Sequence, residues 1–221
     1  DRFSSLEHAA KYAYKSRLPK RAEIQDGLPS EALLDLLVQL YNPSLYKLAV
    51  RTLFRQDDNN EIKGYDLTYF TKESSGISLW LGQAKLGSKD YCRSGIKDDL
   101  TTKFGAGYLS KQLFFVCDKR VSLTPDAKAI LESIEEINIR SMESDEQERA
   151  RKLLCYFRDN NITIKIPCLL AYCQETVYKD AAFLQDKIFD EVEAIREYFK
   201  KYTCLFKGFA PEIVLYIFPI E

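Results

Sequence analysis

Residues 64–86, GYDLTYFTKESSGISLWLGQAKL, decide the fold of this 221-residue chain. Two runs rich in aromatic and β-branched residues, Tyr65–Thr71 and Ile77–Lys85, flank the polar turn KESSG, which predicts a pair of strands. Ile77, Leu79, Trp80 and Leu81 carry the second strand into a core, yet it ends in Gln83-Ala84-Lys85. A Gln and a Lys at the end of a buried strand cost free energy unless they are paired or emerge at a cleft. Side chains alternate along a strand, so Gln83 and Lys85 project together and Ala84 turns away. Asp66, early on the neighbouring antiparallel strand, can reach the same spot.

Outward from this stretch, Pro29-Ser30-Glu31 opens a helix, ALLDLLVQLY, that Asn42-Pro43 stops. Residues Lys47 to Arg55 read as a first strand, and Phe3 to Lys15 as an amphipathic helix with Leu6, Ala10, Ala13 and Tyr14 on one face. Downstream, helices are expected at Tyr91 to Lys103, Gly107–Cys117, Pro125–Ile137 and Glu143–Asp159. ITIKIPCLLAY is expected as a buried strand. A long helix from Ala181 to Tyr202 carries Phe183, Ile188, Val192, Ile195 and Phe199 near helical spacing. PEIVLYIFP, ending at Pro219, closes the chain as a strand. Strands flanked by helices give an α/β architecture with a mixed central sheet. With no repeat, low-complexity tract or linker, the reading is a single domain over residues 1–221. The chain opens at Asp1 and its one Met is Met142, so a truncated N-terminus is expected.

Composition narrows the chemistry. A hydrophobic share of 46% with 29% charged residues fits a globular protein. The net charge of −1 supplies no global basic field, so any nucleic-acid contact must use a local patch or a partner's surface. The six cysteines contain no C-x-x-C pair and His8 is the only histidine, which argues against structural zinc. Scattered cysteines without a signal peptide read as reduced thiols of a cytoplasmic protein. No apolar run approaches the roughly 20 residues of a membrane span.

An Asp on one strand and a polar-x-Lys on the next is the pattern of PD-(D/E)XK nucleases, the restriction-endonuclease-like superfamily. In that chemistry two oxygen ligands hold Mg²⁺ (or Mn²⁺) beside the scissile phosphate. The metal helps generate hydroxide and neutralises developing charge, and the Lys ammonium stabilises the attacking water or the transition state. The resemblance sharpens over residues 28–104. Glu31 opening an apolar helix, then VRTLFR, GYDLTYF, LWLGQAKLG and a helix containing SGIKDDL, is similar to the HamA family of Hachiman anti-phage defence and to the related AbpA proteins.

That resemblance implies a restriction-endonuclease-like fold and a metal-dependent DNA nuclease that acts in bacterial antiviral immunity beside a HamB- or AbpB-like helicase. It assigns metal binding to Asp66 and Gln83, transition-state stabilisation to Lys85 and an accessory acid to Glu31, with Asp35 as the alternate one turn on. HamA-like chains usually carry Glu where this chain has Gln83. An amide oxygen is still a hard ligand but bears no charge, so metal affinity falls. Mrr-like branches of the superfamily also carry Q-x-K.

Bland readings stand beside these. Asp66 is also compatible with a solvent-facing strand residue. Lys85 has a lesser alternative as a charge snorkelling from an edge strand. Glu31 is a first-turn acid of the kind the helix dipole favours. Arg51, Arg55, Lys89, Arg93, Lys97 and Lys103 flank the site in sequence. Of these, Lys97 and Arg93 are the candidates for phosphate contact, because their helix directly follows the site strand. The rival function is a catalytically dead nuclease fold that binds and regulates the helicase; a nuclease toxin acting alone is a third.

Overall fold

The computed structural model describes residues 5, 27–48, 64–74, 76–104, 109, 111–113, 116–117, 124–200 and 210–220. All but Ser5 of the expected helix at Phe3 to Lys15, most of the strand at Lys47 to Arg55 and much of the helix at Gly107–Cys117 lie outside them.

A five-stranded sheet organises these residues: β1 (Tyr46–Lys47), β2 (Leu67–Glu73), β3 (Gly76–Gly87), β4 (Ile162–Cys173) and β5 (Glu212–Ile220), in that spatial order. β1–β2 and β2–β3 are antiparallel, whereas β3–β4 and β4–β5 are parallel. The sheet is mixed and flanked by helices, as expected, and is consistent with a restriction-endonuclease-like fold. β4 is buried without a break from Ile166 to Tyr172 because it is central there, with a parallel neighbour on each side and both faces covered.

The two faces have different partners. α1 (Gly27–Tyr41) lays Leu34 and Val38 on a face made of Leu67, Tyr69, Trp80, Ala84, Leu169 and Ala171. It starts two residues before Pro29, because Ser30 Oγ donates to the Gly27 carbonyl (2.7 Å) and proline is tolerated in a first turn. Gly82 allows the close approach: a Cβ there would lie 2.9 Å from Leu67 Cβ and 3.0 Å from Leu34 Cδ2.

The opposite face carries Leu79, Leu81, Ile164, Ile166, Cys168 and Leu170 beneath α2 (Lys89–Thr102), α3 (Pro125–Arg140), α4 (Glu146–Asp159) and α6 (Leu184–Lys200). A short α5 (Glu175–Tyr178) follows β4. The long helix expected from Ala181 begins as a 3₁₀ turn, Ala181–Phe183, capped by Asp180. The tighter winding takes Phe183 off the apolar stripe. Phe183 and Ile188 are exposed, and Ile195 and Phe199 make the stripe's buried contacts. Among the described residues, no helix is long and apolar enough to cross a membrane.

Candidate functional site

Register builds the site. β2 pairs with β3 so that Leu67 faces Gly82 and Tyr69 faces Trp80. Asp66 immediately precedes β2 and extends that pairing: its N–H donates to the Gly82 carbonyl (2.9 Å), and its Oδ2 accepts from the Ala84 N–H (2.8 Å). The acid is therefore fastened to the middle of the Gln83-Ala84-Lys85 tripeptide. Ala84 turns to the α1 face, as alternation requires. Gln83 and Lys85 project beneath α2.

Ser88 is the only residue between β3 and α2, and its hydroxyl caps the helix by accepting from the Tyr91 N–H (3.2 Å). So short a connection folds α2 back over the strand it follows. The Lys85 stem crosses α2 at Gly95, where a Cβ would lie 3.0 Å from Lys85 Cε and 3.2 Å from Cδ. Beyond that crossing, Lys85 Nζ meets Asp99 Oδ2 at 2.8 Å. The other carboxylate oxygen, Oδ1, lies 3.1 Å from Lys103 Nζ. Lys103 in turn donates to Gln83 Oε1 at 2.5 Å.

Gln83 is wholly buried and uses both ends of its amide. Nε2 donates to the Gly82 carbonyl (2.7 Å) while Oε1 receives the Lys103 ammonium. A flipped amide would set oxygen against oxygen at Gly82 and N–H against ammonium at Lys103, so the network fixes its orientation. The cluster is partly open: side-chain exposure is 21% at Lys85, 12% at Asp99 and 22% at Lys103.

Burial works against the Lys85 charge. The hydrogen bond and charge of Asp99, with the charge of Asp66 behind them, outweigh it and hold the ammonium above its ordinary value. Lys85 is thus kept cationic at the end of an apolar strand. Cys168, buried beneath the cluster, keeps its thiol protonated because burial and the nearby Asp99 and Asp66 charges all oppose a thiolate.

Asp66, Gln83 and Lys85 therefore gather at one place. Glu31 sits half-buried past the first turn of α1, which starts at Gly27 and holds no acid, and it lies on the other side of the sheet from α2. Asp35 is engaged on that same side, by Lys47 (2.8 Å) and the Tyr69 hydroxyl (2.5 Å). Arg93 is held by Asp90 and stacks over the Tyr198 ring of α6, its guanidinium carbon 4.9 Å from the ring centroid. Lys97 lies 3.4 Å from Asp98 with about a third of its side chain exposed.

Sequence reading missed Asp99 altogether and ranked Lys103 below its neighbours. The signal was the spacing Gly95, Asp99, Lys103, one residue every four, which lines a single helix face. Tyr65 was also overlooked. Its hydroxyl donates to the Lys103 carbonyl (3.1 Å) and its ring lies 5.1 Å from Phe104, tying the end of α2 to the residue beside Asp66.

A polar cluster set into an apolar sheet, on the motif residues themselves, is accompanied by a match along the chain. The family model described as HamA matches residues 1–221, the whole length. The chain belongs to the HamA family. This membership extends the likeness seen over residues 28–104 to both ends and connects the chain with Hachiman antiviral defence. No curated protein and no solved structure gives a significant match.

Proposed function

We propose that this HamA chain is a metal-dependent DNA nuclease, acting in Hachiman defence beside a HamB- or AbpB-like helicase. The observation that carries the reading is the convergence of Asp66, Gln83 and Lys85 with Asp99 and Lys103 at the end of β3, in a sheet that is otherwise apolar there. Carboxylate and amide oxygens are hard donors suited to Mg²⁺ or Mn²⁺. The Lys103 ammonium already rests on two of them, Gln83 Oε1 and Asp99 Oδ1, so a cation fits this donor set. Asp66, Gln83 and Asp99 are the residues that would hold the metal. When bound, the metal would lower the pKa of a water and offset phosphate charge.

The chain's own groups supply the rest of the mechanism. The Lys85 ammonium, kept charged by Asp99, donates to the phosphoryl oxygens as negative charge builds on them. The Asp66–Ala84 hydrogen bond holds the carboxylate in one orientation through the reaction, which lowers the reorganisation needed. Water attacks phosphorus and gives up a proton to solvent, the bond to the leaving oxygen breaks, and that oxygen takes up a proton from solvent. A net charge of −1 gives the chain little attraction of its own for DNA, so the helicase partner delivers the substrate.

A second reading, a non-catalytic subunit that clamps the helicase, is favoured by one observation. Both ends of the Gln83 amide are already satisfied within the protein. Plasmid cleavage with Mg²⁺ or Mn²⁺, with and without the helicase and ATP, separates the two. Cleavage that disappears in Lys85→Ala supports the nuclease. An assembled complex that never cuts, and that gains nothing from Gln83→Glu, supports the clamp.

A further inference from the structure

The metal reading leaves Lys103 unexplained. Its ammonium stands between Gln83 Oε1 at 2.5 Å and Asp99 Oδ1 at 3.1 Å, two oxygens from separate elements. Nothing in the helix requires this, because Lys103 is the C-cap residue of α2, where a lysine side chain is free to turn to solvent. Tyr65 fixes the Lys103 backbone from the Asp66 side, so the side chain starts from a set position. The site thus contains a cation of its own, supplied by the chain and centred on oxygens that a hard metal would use.

We propose that Lys103 is a built-in counter-cation, and that a divalent metal loads the site by displacing its ammonium from Gln83 and Asp99. This rests on the metal-dependent reading above. An ammonium and a divalent ion cannot share two oxygens at contact distance, since like charges so close repel strongly at a site partly shielded from water. The lysine neutralises Asp99 when the site holds no metal and swings toward solvent, or toward a DNA phosphate, when the metal arrives. Lys85 stays on Asp99 Oδ2 throughout, so the two lysines have different duties: one is retained and one is exchanged.

The test is Mn²⁺ binding by the full chain, read as the loss of the free-ion electron paramagnetic resonance signal in the absence of DNA. Lys103→Met and Lys103→Gln should each bind Mn²⁺ roughly tenfold more tightly than the parent. That gain should vanish in the double variant Asp66→Asn, Lys103→Met. Equal or weaker binding by both Lys103 variants, with the parent binding normally, overturns displacement and leaves the metal site standing. A gain that survives Asp66→Asn places the metal elsewhere and overturns the proposal. Absence of binding in parent and variants alike overturns the metal reading itself. Should both variants fail to fold, ¹⁵N NMR of the parent's lysine ammonium groups decides. The hydrogen-bonded Lys103 signal should be lost on saturation with Mg²⁺, and its persistence would overturn the exchange.

Discussion

The Asp66 carboxylate accepts a 2.8 Å hydrogen bond from the Ala84 backbone N–H, so the acid of one motif is anchored to the middle of the other. The distance between Asp66 and the pair Gln83 and Lys85 is therefore set by backbone, which is stiffer than any contact between side-chain ends. It also means that removing Asp66 is not a purely chemical change.

Asp66→Ala strips the Ala84 N–H of this acceptor, and Asp66→Asn keeps an oxygen for it while removing the charge. In urea unfolding, Asp66→Ala is expected to lose about 1–2 kcal/mol, because the site is half-buried and water recovers part of the bond. Asp66→Asn should stay within about 1 kcal/mol of the parent. Both should abolish DNA nicking. Equal stability of the two variants would show that the bond contributes nothing.

Gly95 is where the Lys85 stem crosses α2. A methyl group there would stand 3.0–3.4 Å from three carbons of that stem. Alanine also favours the helix by about 0.8–1 kcal/mol over glycine. Gly95→Ala is thus expected to hold or raise the melting temperature while shifting the Lys85 ammonium. Nicking should drop roughly 10- to 100-fold. A variant that is stable and fully active would show that Lys85 tolerates displacement.

The Lys85 ammonium is held above its ordinary value of 10.5, so folding favours its protonated form. The sign follows from linkage. Its contribution to stability is complete at neutral pH, persists up to the unfolded value and is lost as pH rises through the folded one. The stability gap between parent and Lys85→Met should therefore be constant from pH 6 to 9 and shrink toward pH 11. A gap that widened with alkalinity would contradict the Asp99 pairing.

Tyr65→Phe removes one hydroxyl, the donor to the Lys103 carbonyl, and keeps the ring against Phe104. It should cost about 0.5–1.5 kcal/mol in urea unfolding. Amide exchange should quicken at the C-terminal turn of α2 before it quickens in β3. Uniform acceleration across both elements would mean that the hydroxyl supports the whole domain rather than this helix end.

Most of the sheet could be read from local pattern. The β2–β3 pair extends to Glu73 and Gly87, two residues beyond the expected ends, because pairing outlasts the apolar run that announces it. α2 begins two residues earlier than expected, at Lys89, since Ser88 caps it directly from the strand. Phe183 broke the pattern: its spacing fitted a helix, but the Asp180 cap imposed a 3₁₀ turn and left the ring exposed. The accessory acid shows the limit most clearly. The spacing of Glu31 and Asp35 reveals that they share a helix face, but not which side of the sheet that helix covers.

What the sequence determined by itself is everything that follows from chain periodicity. Alternation put Gln83 and Lys85 on one face and Ala84 on the other, and the turn KESSG set the strand carrying Leu67 beside the strand carrying Gly82. Only the tertiary structure decided that Asp99 and Lys103 complete the cluster and that Asp35 belongs to Lys47 and Tyr69 on the far face. The reason is physical. A strand's alternation is a property of neighbouring residues, whereas the face a helix presents depends on how the loop before it aims its axis, and here a single residue, Ser88, sets that direction.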